Sequence, residues 1–134
     1  MPILDSDIII AYFRNVPKAV EIIDNLIHEK IILKTTIFNV AELYKGAYLS
    51  SKVEENIKQI EEFLQNITII NFTMNDAIKF AKISAELRHK GEPIGDFDEL
   101  IASVAINNKE TIFTRNINHY EKIPQISFKN WEKS

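Results

Sequence analysis

Short apolar runs alternate with longer stretches of helical periodicity along this chain, and few folds accommodate that alternation. Pro2-Ile3-Leu4, Ile31-Ile32-Leu33, residues 67–72 and Thr111-Ile112-Phe113-Thr114 read as buried strands, with a last extended piece at 126–128. Helices are predicted over 7–14, 18–29, 37–50, 53–64, 74–90 and 99–106, the helix of 74–90 being stopped by Gly91 and Pro93. Strands that alternate with helices pair through crossovers. The expected fold is therefore α/β, a three-layer sandwich with a central, mainly parallel, doubly wound sheet flanked by helices. Such sheets bind ligands beyond the carboxyl ends of their strands, where the strand order reverses. Asp5 ends the first strand, and Arg115 and Asn116 lie just past the fourth.

A chain of 134 residues, 46% of them hydrophobic, holds one ordinary core, so a single domain over 1–134 is expected. It has no cysteine, which excludes disulfides, thiolate nucleophiles and Cys-ligated zinc. Any metal must be held by oxygen or imidazole. The apolar start carries Asp5 and Asp7 and lacks a basic lead, so it does not read as a signal peptide. No apolar run approaches the roughly 20 residues of a membrane span, and a cytoplasmic protein is expected. The net charge of −3 is unusual for a nucleic-acid binder. If the chain handles RNA, a bound cation and a few lysines and arginines must invert the field locally.

Four acids stand in settings that an ordinary surface role does not explain. Asp5 follows a buried strand directly, where a carboxylate faces either a cleft or a costly burial. Glu42 lies in FNVAELYKGA, a helix apolar around most of its circumference, with Asn39, Glu42 and the Lys45-Gly46 edge as a narrow polar stripe. Asp96 and Asp98 sit where a turn enters a helix. Capping accounts for one aspartate there, and two a residue apart make an oxygen-rich corner. Asp98 is the favoured metal ligand and Asp96 a weaker one. Capping also accounts for Ser6 or Asp7 taken alone.

Carboxylates brought together raise one another's proton affinity, and a hard divalent cation relieves the repulsion. Mg²⁺ takes one or two carboxylates, keeps waters and binds substrate phosphate, which is the logic of metal-assisted phosphodiester hydrolysis. Among the basic residues, Arg115 is best placed for phosphate, and Lys45, one turn on from Glu42, is a similar candidate. Arg88, near a helix end, and His28 and His89 suit helix dipoles. His119 is a candidate general acid or substrate contact. Tyr12, Phe13, Tyr44 and Tyr48 recur on the early helices, mostly as core residues.

LDSDIIIAY, TTIFNVAELYKGA, AELRHKGEPIGDFDELIASVA and TRNINHYEKIPQISFKNW resemble, in order and spacing, the motifs of VapC-type PIN domains, over essentially the whole chain. The resemblance implies a PIN fold with an acidic pocket at the carboxyl edge of its sheet. It also implies a Mg²⁺- or Mn²⁺-dependent endoribonuclease, the toxin of a type II toxin–antitoxin pair, usually dimeric and inhibited by a VapB antitoxin. By position, the catalytic and metal-binding acids are Asp5, Glu42 and Asp98, and Ser6 matches a hydroxyl that helps hold the metal. Part of the early-helix surface would receive the antitoxin or the second subunit. The chain departs from the family at the fourth position, where many PIN domains carry an acid and this one reads Thr114-Arg115-Asn116. The fourth ligand is open between Asn116, through its carbonyl oxygen, and Asp96, and the case for a second tightly bound metal is weakened.

Two other readings compete. A PIN-like binding module with little catalysis fits the missing fourth acid. A phosphate-signalling receiver domain shares the length and the acids after the first strand. It needs an aspartate at the end of the third strand, where this chain has Ile70-Asn71-Phe72.

Overall fold

A computed structural model describes residues 2–133. Its strands are β1 (Pro2–Leu4), β2 (Lys34–Thr36), β3 (Thr68–Ile70), β4 (Thr111–Thr114) and β5 (Ser127–Asn130). They form one sheet in the order β3-β2-β1-β4-β5, and every neighbouring pair is parallel. The helices are α1 (Ser6–Phe13), α2 (Pro17–His28), α3 (Ile37–Tyr48), α4 (Val53–Leu64), α5 (Met74–His89), α6 (Asp96–Asn107) and α7 (Ile117–Tyr120). The expected doubly wound sheet is present and is parallel throughout. Among the described residues no helix is long and apolar enough to cross a membrane.

Alternation along the strands divides the core between the two faces of the sheet. Ile3 and Ile112, paired across β1 and β4, point to the same side and pack with Ile83 and Leu87 of α5, Ile101 and Ala105 of α6, and Tyr120. Leu4 and Phe113, the next pair, point the other way, into Ile8, Ile9, Ile23, Leu43, Ile60 and Trp131. Each fully buried isoleucine or leucine contributes roughly 1.5–3 kcal/mol relative to exposure. Helices on both faces cover β1 and β4 and leave open the carboxyl edge where the order reverses.

Two boundaries differ from the sequence reading. The strand expected at Ile31-Ile32-Leu33 lies at Lys34–Thr36. Lys30 takes φ 60° and the Ile31 N–H returns to the Leu26 carbonyl at 2.9 Å, so this apolar stretch closes α2 and leaves Ile32 54% exposed. The strand forms instead on buried threonines, with Thr35 donating its hydroxyl to the Leu4 carbonyl at 2.8 Å. The late helix starts at Asp96 rather than Glu99, because Gly95, at φ 105°, makes the turn immediately before it.

Candidate active site

Asp5 sits on the seam between β1 and β4, its N–H donating to the Phe113 carbonyl at 3.0 Å. Its side chain caps α1 through the Ser6 N–H at 2.8 Å, so Asp5, rather than Ser6 or Asp7, is the capping residue. The same oxygen accepts from Asn39 Nδ2 at 2.9 Å, and Oδ2 accepts from the Thr114 hydroxyl at 2.7 Å. Asn39 is delivered by a capping box, in which Thr36 and Asn39 bond each other's backbone N–H at the start of α3. One turn further along α3, Glu42 accepts from Ser6 Oγ at 2.9 Å through Oε1. Ser6, which also accepts from Asn39 at 3.0 Å, thus bridges the first two acids.

Asp98 enters from the first turn of α6. Its Oδ2 accepts from Asn116 Nδ2 at 2.8 Å and lies 2.5 Å from His119 Nδ1. Asn116 Nδ2 also lies 2.9 Å from the same Nδ1, so Asp98, Asn116 and His119 form one cluster, and Nε2 is the ring nitrogen left for other partners. The Tyr120 hydroxyl approaches Oδ1 at 3.5 Å.

These groups share one electrostatic field. Burial pushes Asp5 up from 3.8 to about 7, with the charges of Asp7 and Asp98 adding to it and the bonds from Thr114 and Ser6 opposing it. Glu42 is raised by burial and by Asp98 and Asp7, against the bond from Ser6 and the opposing charge of Lys45. Tyr120 is held well above its usual range by burial and by the charges of Asp5, Asp98, Asp7 and Glu42. Acids from β1, α3 and α6 therefore face one another across the open edge of the sheet.

The donor set is carboxylate, amide and hydroxyl oxygen, which suits a hard divalent cation. Among the described residues no three acidic or imidazole side chains converge closely enough to hold an ion between them. The site is an acidic rim rather than a closed cage. It fits an ion that takes one or two carboxylates and completes its shell with water and substrate phosphate.

The other candidates are distributed unevenly. Asp96 points away, with a side chain 71% exposed and 4.0 Å from Arg88, and the structure does not bring it to the rim. The Arg115 guanidinium lies at the surface 3.9 Å from Glu132. Asn116 uses its amide nitrogen on Asp98, so it serves here as a donor to an acid rather than as a replacement for one. Lys45 is exposed, with a field that reaches Glu42.

Sequence reasoning missed Asp7 and Thr114. Asp7 accepts from Thr114 Oγ1 (3.1 Å) and the Arg115 N–H (3.0 Å) with one oxygen and from Trp131 Nε1 (2.8 Å) with the other. It fastens the last part of the chain to α1 while adding negative charge beside Asp5. The only signal in the sequence was a lone tryptophan near the C-terminus, whose indole N–H needs an acceptor when buried.

The PIN domain family matches residues 3–124. Ribonuclease VapC2 of Rickettsia felis is 37% identical over 94 residues, 70% of each chain. The tRNA(fMet)-specific endonuclease VapC of Salmonella typhimurium is 29% identical over 128 residues, 96% of each. Among solved structures, VapBC2 from Rickettsia felis bound to a DNA fragment from its promoter superposes with a TM-score of 0.88 at 29% identity, over 97% of this chain and 98% of that one. With its fold, its all-parallel sheet and these relatives, the chain belongs to the PIN-domain family, in its VapC branch of metal-dependent ribonuclease toxins from type II toxin–antitoxin pairs.

Proposed function

We propose that Asp5, Glu42 and Asp98 are the acids of an endoribonuclease site that works with Mg²⁺ or Mn²⁺. The observation that carries this is the burial of Asp5 among like charges, which pushes its carboxyl up to about 7. A fold that holds ionised carboxylates this close without a counter-charge is destabilised by them, and a divalent cation removes that cost. Glu42 Oε2 and Asp98 Oδ1 are the oxygens least engaged by hydrogen bonds, so they are the atoms offered most directly to the ion, with the Asp5 carboxyl on the same rim completing the negative field. When bound, the ion supplies Lewis acidity to the phosphodiester and lowers the pKa of a coordinated water.

The chain's own side chains do the positioning. Ser6 and Asn39 fix Asp5 against Glu42, while Asn116 and His119 fix Asp98, leaving His119 Nε2 to exchange a proton with the substrate. Lys45 offers the charge nearest the rim for a phosphate. The test is Mg²⁺-dependent cleavage of an RNA panel, including initiator tRNA in view of the Salmonella relative's specificity. Wild type should cleave, and Asp5→Asn, Glu42→Gln and Asp98→Asn should each lose about 10² or more in kcat/KM. Equal activity in all four removes the assigned site.

The partners follow from two other surfaces. A VapB-like antitoxin fits the apolar groove of about 620 Å³ lined by Tyr12, Phe13, Ile27, Ile32 and Phe63, and a basic side chain from it would meet the acids. A second copy of the chain fits the exposed apolar face of Phe72, Met74, Ile78 and Phe97, which is 36–77% exposed residue by residue. These pairings predict a cytoplasmic protein whose growth arrest is relieved by co-expression of the neighbouring open reading frame.

A further inference from the structure

An acidic rim on a chain of net charge −3 repels a polyanion beyond the immediate reach of a bound ion. Screening confines the ion's help to about 8–10 Å at physiological salt. RNA longer than a few nucleotides therefore needs positive charge elsewhere, and the structure concentrates it in one place. Lys79, Lys82, Lys90 and Lys122 line a pocket of about 230 Å³ between one flank of α5 and the turn at 122–125. Among the described residues none of the four is ion-paired, and Lys79 makes only a long contact of 3.5 Å to Gln125.

Lys79 and Lys82 also line a second, larger hollow of about 580 Å³, shared with Asn71, Asn75, Asn107 and Asn108. The two hollows meet at these lysines in one trough whose polar groups are mainly ammonium and amide, set among apolar side chains such as Ile78 and Ile83. Its acids are few. Glu86 lines the smaller pocket, and Asp76 in the larger one is buried, its oxygens taken by the Thr73 N–H and by Asn107 Nδ2. The trough is tied to the acid site along the chain, Lys122 standing two residues after Tyr120 and three after His119, which holds Asp98.

We infer that this trough carries the phosphodiester backbone of the RNA substrate outside the scissile linkage, a role that rests on the nuclease reading above. Lysines neutralise phosphates without reading sequence, and side-chain amides hydrogen-bond phosphate and sugar oxygens. The trough thus governs affinity for long RNA and leaves the chemistry at the rim unchanged.

The test is the triple variant Lys82→Gln/Lys90→Gln/Lys122→Gln, with a triple Lys→Arg control. Binding of a labelled single-stranded RNA about 20 nucleotides long is measured in metal-free buffer across a salt series, and cleavage of the same RNA and of a tetranucleotide is measured with Mg²⁺. The Gln variant should bind the long RNA about tenfold more weakly, with the slope of log K against log salt reduced by about two, since each lost phosphate contact removes about 0.7. Its KM for the long RNA should rise in step, with kcat and tetranucleotide cleavage unchanged, and the Arg variant should behave as wild type. Unchanged affinity and salt slope in the Gln variant would overturn the inference and leave the trough to an acidic protein partner, and so would equal loss in the Arg control. If wild type cleaves no RNA, the nuclease reading fails, while the metal-free binding comparison still decides the trough.

Discussion

Asp5 is held by three donors that favour its charge and by a burial and two neighbouring acids that oppose it, and the opposition wins. A carboxyl whose folded pKa lies above its unfolded value binds its proton more tightly in the native state. Its stabilising contribution is complete below about pH 4 and is lost as pH rises through about 7. Metal-free protein should therefore lose stability from this group between those limits. The stability of Asp5→Asn relative to wild type should rise by a few kcal/mol between pH 5 and pH 8, because each pH unit between the two limits costs the wild type about 1.4 kcal/mol. Chemical denaturation of both proteins at pH 5 and pH 8 checks this, and a difference that does not rise with pH counts against it. Asp5 and Glu42 stood out in the sequence as acids in apolar surroundings, and Asp98 as one of two aspartates set where a turn enters a helix. Asp7 and Thr114 did not, because their meaning lies in bonds that span 107 to 124 residues, which no local spacing encodes.

The segment that opens α3 shows how an element delivers a site. Thr36 and Asn39 cap the helix, and the same Asn39 amide reaches Asp5 and Ser6, so the cap sets the distance between β1 and α3. Asn39→Ala should cost about 1–3 kcal/mol in stability and also lower kcat, whereas a capping loss alone would leave kcat unchanged. Thermal unfolding together with single-turnover cleavage separates the two. The tie at the other end of the chain admits a similar test. Trp131→Phe keeps an aromatic ring but removes the N–H to Asp7 and leaves a void where the larger indole was buried, and should destabilise by about 2–4 kcal/mol in denaturant. Most elements were legible from periodicity. The β2 boundary was not, because Ile31 and Ile32 look like a strand and in fact close α2, while the true strand hides in Lys34-Thr35-Thr36. The short helix α7 carried no periodic signal at all, and it positions His119.

For the whole molecule, sheet topology does the gathering. The order β3-β2-β1-β4-β5 puts the strand reversal between β1 and β4, so residues from opposite ends of the chain open on one edge. Acids collect there and lysines collect along α5, which separates chemistry from long-range attraction on a surface of net negative charge. The alternation of strands and helices was enough to foresee the edge. The lysine trough was invisible, because Lys122 and the lysines of α5 meet only in the folded chain.

That the rim needs a cation is tested most directly by calorimetry of Mg²⁺ or Mn²⁺ binding to the RNA-free protein near pH 7. Wild type should bind with release of protons, because Asp5 is part-protonated there, and Asp5→Asn and Asp98→Asn should bind at least about tenfold more weakly. Binding of equal strength in all three proteins, with no proton released, would contradict the account.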